Sequence, residues 1–210
     1  MSTWWPYARL LAAVIGMTAI VRQLALSVGN AIAADTAWGS HLPTVFTNFF
    51  SYFTVLANVS AAIVLTAGAV WTLRHRRTTE PEPVWLTTAL VCVSTYMIIT
   101  GLVYNLLLRQ YPIAGISDVW TNETLHLILP LFLLADVLFA PRRRALPAST
   151  VLVVAAFPLL WAVYTLLRAD FVIAPLLGTP YWYPYPFLNP HVVAGGFLGV
   201  AGYVLGIAAA

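Results

Sequence analysis

Thr47, Asn48, Phe49, Phe50, Ser51, Tyr52, Phe53, Thr54, Val55, Leu56, Ala57 and Asn58 form the stretch on which the reading of the fold turns. At 100° per residue, Thr47, Ser51, Thr54 and Asn58 share a stripe about 60° wide, over roughly 16 Å of helix. The positions between them are mostly aromatic or aliphatic. In lipid such a stripe must face protein or water, so it marks the inside of a helical bundle.

Composition sets the same class. The chain is 61% hydrophobic and only 8% charged, against about 25% charged residues in soluble domains. Its mean hydropathy is +0.86. Six apolar stretches of about 20 residues, each long enough to cross a bilayer, take up most of the length. The expected fold class is all-α: a polytopic membrane protein with six transmembrane helices, built as a single membrane domain over residues 1–210.

The net charge of +3 comes from arginine without lysine, and the arginines cluster in two short loops. That pattern reports topology and gives no sign of nucleic-acid binding. Cys92 stands alone, and the four histidines are scattered. Neither a metal site nor a cofactor is expected from these residues.

The expected spans are about 7–27, 42–73, 84–108, 119–140, 149–167 and 192–208. Trp4 and Trp5 suit an interfacial belt before the first span. Ala31, Ile32 and Ala33 resemble a signal-cleavage site, but Arg22 follows the apolar run, which favours a signal anchor. Arg22 itself has two readings, snorkelling to headgroups or holding a lipid anion. Thr87, Ser94, Gly101 and Asn105 give the third span a small, polar face suited to close helix packing. Ser117 is a candidate cap for the fourth span.

In a six-span arrangement, the loops at Arg74–Arg77 and Arg142–Arg144 lie on one side. The positive-inside rule makes that side cytoplasmic, with both termini there. The Arg-only, Ala-rich composition points to a bacterial cytoplasmic membrane, crossed several times.

Depth then relates two of the polar residues. Thr54 is about 18 Å below the outer end of its span, and His126 about 10 to 14 Å below the outer end of the fourth. An ionisable residue inside a span is a functional hypothesis by default. Desolvation favours a neutral imidazole, which can act as a base; the alternative is a structural hydrogen bond. Thr54 is either bonded to its own helix or a nucleophile activated by such a base. Ser51, Asn58, Asn105 and Tyr104 are candidates for lining a site or donating to an oxyanion, with interhelical bonding as the alternative for the asparagines. Glu123 either orients the imidazole or reaches the outer interface. Asp136 reads as a partner for nearby arginines. The aromatic and proline-rich loop from Tyr181 to Pro190 reads as an interfacial belt or as a rigid lid.

The motifs around Asn48–Asn58, His126–Pro130 and Trp182–Leu188 together resemble the bacterial relatives of the androgen-induced and androgen-dependent membrane hydrolases, over roughly residues 7 to 205. That resemblance implies a multi-span helical enzyme that hydrolyses fatty-acid esters of hydroxy fatty acids. The family's threonine nucleophile corresponds to Thr54 and its histidine to His126. The expected partners are a lipid-ester substrate and the surrounding membrane lipids. The competing reading is a non-catalytic protein that binds or transports a lipid or small molecule, with the polar stripe lining a passage.

Overall fold

The apolar runs fold into helices throughout the computed structural model, which describes residues 4–36, 39–110, 118–175 and 177–209. No strand occurs among the described residues. The helices are α1 (Trp5–Ala33), α2 (Leu42–Phe49), α3 (Phe53–Arg74), α4 (Val84–Val103), α5 (Val119–Glu123), α6 (Leu129–Phe139), α7 (Thr150–Ala169) and α8 (Phe197–Ala209). Two π-helical turns, Tyr104–Leu108 and Thr124–Ile128, continue α4 and join α5 to α6.

Five helical stretches are long and apolar enough to cross a membrane: Trp5–Ala33, Phe53–Arg74, Val84–Leu108, Val119–Phe139 and Thr150–Ala169. The segment expected as a sixth span gives a shorter helix. Gly195 and Gly196 take the left-handed φ values of 82° and 58°, which end regular helix before Phe197. The 13 residues of α8 rise only about 20 Å, against a hydrocarbon core of about 30 Å.

The expected continuous second span is also divided. Helix α2 stops at Phe49, and α3 starts at Phe53. Side chains compete for the backbone at this break: the Ser51 hydroxyl donates to Thr47 O at 2.6 Å, and Trp161 Nε1 donates to Ser51 O at 3.0 Å. A carbonyl engaged by an indole is drawn away from the helical ladder. The 100° periodicity that aligns Thr47 and Ser51 with Thr54 and Asn58 therefore does not run through this stretch.

The chain forms two units, Met1–Leu24 with Phe53–Pro158, and Ala25–Tyr52 with Leu159–Ala210. In the first, α4 packs against α3 and α6. Its interior is small and aliphatic, with Ala57, Leu65, Ala69, Leu86, Leu90, Met97 and Leu133 almost fully buried. One end of this unit gathers the basic loops. Arg142 donates to the carbonyls of His75 and Thr78, and Glu82 N donates to Arg142 O at 2.9 Å. Both loops thus lie at the same end, as the alternation of spans requires.

Charges are buried at that end. Arg9 on α1 is 1% exposed, and Glu82 and Asp136 are fully buried. Arg9 Nε bonds Asp136 Oδ1 at 2.7 Å, and its NH1 bonds Glu82 Oε1 at 2.7 Å. Trp5 Nε1 and Arg143 NH2 add bonds to Asp136 at 2.6 and 2.5 Å. Gly68 on α3 makes room for this cluster, since a Cβ there would lie 2.8 Å from Arg9 NH1. Asp136 is thus a partner for arginines, and Arg9 and Glu82 join it.

In the second unit, Arg168 donates to Asn48 Oδ1 at 2.7 Å, and its guanidinium lies 5.4 Å from the Trp182 ring centroid. Tyr52 meets Trp182 and Tyr185 edge-on at 5.4 and 5.7 Å. The loop after α7 is therefore folded onto residues 48–52 by ring contacts. Within the loop, Tyr181 stacks on His191 at 4.0 Å.

Candidate functional site

The fourth crossing departs from α-helical register where the sequence has His126 and Pro130. Leu129 N bonds Thr124 O, five residues back, which leaves the Leu125 carbonyl without its helical donor. Pro130 has no N–H to offer the His126 carbonyl. Neighbouring asparagines satisfy both oxygens. Asn58 Nδ2 donates to Leu125 O at 3.4 Å and to Thr54 O at 2.9 Å. Asn105 Nδ2 donates to His126 O at 3.1 Å and to Gly101 O at 2.8 Å. Both hydrogens of each amide are thereby directed at backbone carbonyls, an arrangement that ties helices together. It also answers whether the second and fourth crossings touch: Asn58 joins α3 to the π turn.

His126 is held on two sides. Its Nδ1 lies 3.0 Å from Asn122 O, and its ring stacks on Tyr104 with centroids 3.9 Å apart at 23°. A carbonyl only accepts, so Nδ1 carries the proton, and in the neutral ring Nε2 presents its lone pair. Asn122 also fixes the other ring, because its Nδ2 donates to the Tyr104 hydroxyl at 2.6 Å. Tyr104 is itself 7% exposed.

Around this cluster the charges are paired. Arg109 donates to Glu123 Oε2 at 2.8 Å and to Asn105 Oδ1 at 2.9 Å, so Glu123 faces an arginine at the rim. Arg22 pairs with Asp118. Asp118 also caps α5 by accepting from Thr121 N at 2.8 Å. That bond, helped by Arg22, holds the Asp118 carboxyl below the usual carboxylate range. Asp118 thus fills the capping role expected of its neighbour Ser117, which lies outside the described residues.

Thr54, Asn58, Tyr104, Asn105, Glu123 and His126 all lie in the first unit, with Thr54 buried on α3 one turn before Asn58, which bonds both Thr54 O and Leu125 O. Ser51 belongs to the second unit, where its hydroxyl lies 3.0 Å from the Tyr164 hydroxyl. Asn122 belongs to the site without any motif to announce it. The available signal was its position one helical turn before His126, where its carbonyl can meet the ring. Arg9 and Glu82 had a different signal, since a guanidinium inside an apolar run needs a buried carboxylate.

Gly101 sets the spacing at this site. A Cβ there would lie 2.9 Å from Pro130 Cβ and 3.3 Å from His126 O. The proline ring cannot rotate away, so Gly101→Ala is expected to push α4 from α6 and destabilise the fold by about 1–3 kcal/mol. Thermal unfolding in detergent reads this directly. An unchanged midpoint would mean that the two helices separate freely.

Fold and site together define an all-α membrane protein with a buried polar cluster between two π turns. No protein-family model matches the chain, and no curated protein or solved structure matches it.

Proposed function

We propose that the protein is an intramembrane lipid-ester hydrolase with Thr54 as nucleophile and His126 as general base. The observation that carries this reading is the fixed tautomer of His126. Asn122 O holds the Nδ1 proton at 3.0 Å and Tyr104 holds the ring plane, leaving Nε2 as the basic nitrogen. Orienting an imidazole through Nδ1 so that Nε2 serves a hydroxyl is the logic of hydroxyl-nucleophile hydrolases. The resemblance to the androgen-induced and androgen-dependent membrane hydrolases supplies the substrate class, long-chain acyl esters that enter sideways from the bilayer.

In this mechanism Nε2 takes the Thr54 hydroxyl proton as Oγ1 bonds to the ester carbonyl carbon. The imidazolium then protonates the departing alkoxide, leaving an acyl group on Thr54. Water, losing a proton to Nε2, attacks the acyl carbon; the carboxylic acid leaves and Thr54 recovers its proton. Tyr104 is the donor we assign to the oxyanion. Its oxygen accepts from Asn122 Nδ2 at 2.6 Å, so its own hydrogen is available. We assign Asn58 and Asn105 to positioning His126 through the carbonyls they bond.

We also infer that residues 192–208 complete a sixth crossing, so that both termini lie on the side of the basic loops. By the positive-inside rule that side is the cytoplasm, here of a bacterial cell. The expected partners are the ester substrate and membrane lipids.

Fluorophosphonates test the nucleophile, because an activated hydroxyl displaces fluoride from phosphorus and remains covalently marked. The purified protein is expected to hydrolyse members of a panel of long-chain acyl esters and to carry the label on Thr54. Thr54→Ala is expected to abolish both while unfolding at a similar temperature. A wild-type protein that neither labels nor hydrolyses any ester, or a Thr54→Ala variant that does both normally, removes the proposal.

A further inference from the structure

The two ends of the first unit differ in how their charges are balanced. At the end holding the candidate site, Arg22 pairs with Asp118 and Arg109 with Glu123. At the other end lie seven arginines, at positions 9, 74, 76, 77, 142, 143 and 144, and three carboxylates, Glu80, Glu82 and Asp136. The fold withdraws two of these carboxylates from the surface. Asp136 and Glu82 are fully buried, and the partners they take are Arg9 and Arg143. Only Glu80 remains exposed to offset the loops. Arg74, Arg76, Arg77 and Arg144 are all exposed and have no ion pair among the described residues.

The basic loops are held as one surface. Arg142, in a left-handed conformation with φ of 66°, bonds the carbonyls of His75 and Thr78, which ties the loop that carries Arg144 to the loop that carries Arg74–Arg77. Arg74 ends α3, Arg76 and Arg77 follow it, and Arg144 follows α6, at the level where a lipid headgroup lies. Guanidinium groups match phosphate in a forked, two-bond geometry that an ammonium lacks.

We infer that this end of the protein is a binding surface for anionic phospholipid headgroups, formed by Arg74, Arg76, Arg77 and Arg144. The surface is independent of the proposed hydrolysis. Burying the Asp136 and Glu82 carboxylates in the Arg9 cluster leaves the outer arginines available to external phosphate. Each such cation near an anionic leaflet adds to the attraction for its headgroups.

Native mass spectrometry of the full-length protein tests it, after delipidation and incubation with phosphatidylglycerol or phosphatidylcholine in matched detergent. The wild type is expected to retain phosphatidylglycerol in preference to phosphatidylcholine. Replacing the four arginines by glutamine is expected to lower that preference at least tenfold, roughly, and Arg→Lys at the same positions by less. Equal retention of the two lipids overturns the inference, and so does a preference unchanged in the glutamine variant. A soluble anion site is a different outcome that also overturns it: inorganic phosphate at millimolar concentration would then displace the lipid completely. Should the glutamine variant not fold, added salt reads the same interaction on the wild type. The preference must fall as ionic strength rises, and a salt-independent preference rejects a headgroup surface.

Discussion

Replacing Asp136 by alanine is expected to destabilise the protein by about 3–5 kcal/mol, a large part of the roughly 5–15 kcal/mol that holds a typical domain folded. The carboxylate accepts four hydrogen bonds: from Trp5 Nε1, from Arg9 Nε and NH2, and from Arg143 NH2. Its removal leaves the Arg9 guanidinium, with a side chain 1% exposed, bonded to Glu82 alone. A charge stranded in this way is costly because neither water nor a second anion can reach it. Asp136→Asn keeps an acceptor oxygen and is expected to lose less. Arg9→Met combined with Asp136→Leu is expected to recover only part of the loss, because Glu82 and Arg143 stay without their former partners. Chemical unfolding in mixed micelles measures the differences. A loss below about 1 kcal/mol for Asp136→Ala would show that solvent enters the cluster and screens it.

His126→Ala is expected to lower ester turnover by about 10²–10⁴, the range that general-base catalysis contributes. On the proposed mechanism this variant retains the Thr54 hydroxyl but loses the group that takes its proton. Substitution also opens a slot beside the Tyr104 ring, which now stacks on the imidazole at 3.9 Å. Free imidazole at millimolar concentration is therefore expected to restore part of the activity in His126→Ala and none in the double variant His126→Ala with Thr54→Ala. Pyrrole, which fills the same slot without a basic nitrogen, is expected to restore none of the activity, and this contrast with imidazole separates a base from a packing residue. A His126→Ala variant that unfolds at the wild-type temperature and still turns over at the wild-type rate would sink the base assignment.

Much of the architecture could be read from residue order. Apolar runs near Val84–Leu108 and Val119–Ala140 coincide closely with helical stretches, because a span of that length and hydropathy has few other ways to satisfy its backbone in lipid. The stretch that opened the reading was legible only in part. Asn48, Ser51, Thr54 and Asn58 are buried but Thr47 is exposed, and Thr47, Asn48, Ser51 and Tyr52 belong to one unit and Thr54 and Asn58 to the other. Periodicity assumes an unbroken helix, and the bond from Trp161 to Ser51 O, 110 residues distant, is invisible to it. The last apolar run misled on length for a local reason, since two consecutive glycines accept left-handed backbone that other residues resist.

Sequence by itself determined the solvent this protein is built for, its helical class and the residues with chemistry to offer, because hydropathy and residue type are properties of the chain alone. Tertiary structure decided which of those residues meet. Asn122, Tyr104 and His126 form one cluster because a π turn and a proline strip the Leu125 and His126 carbonyls of their helical donors, and Asn58 and Asn105 on neighbouring helices supply replacements. Arg9, Glu82 and Asp136 are far apart in the chain and meet because a buried charge is tolerable only beside its opposite. Such pairings depend on how helices pack, and packing is settled by the whole chain at once.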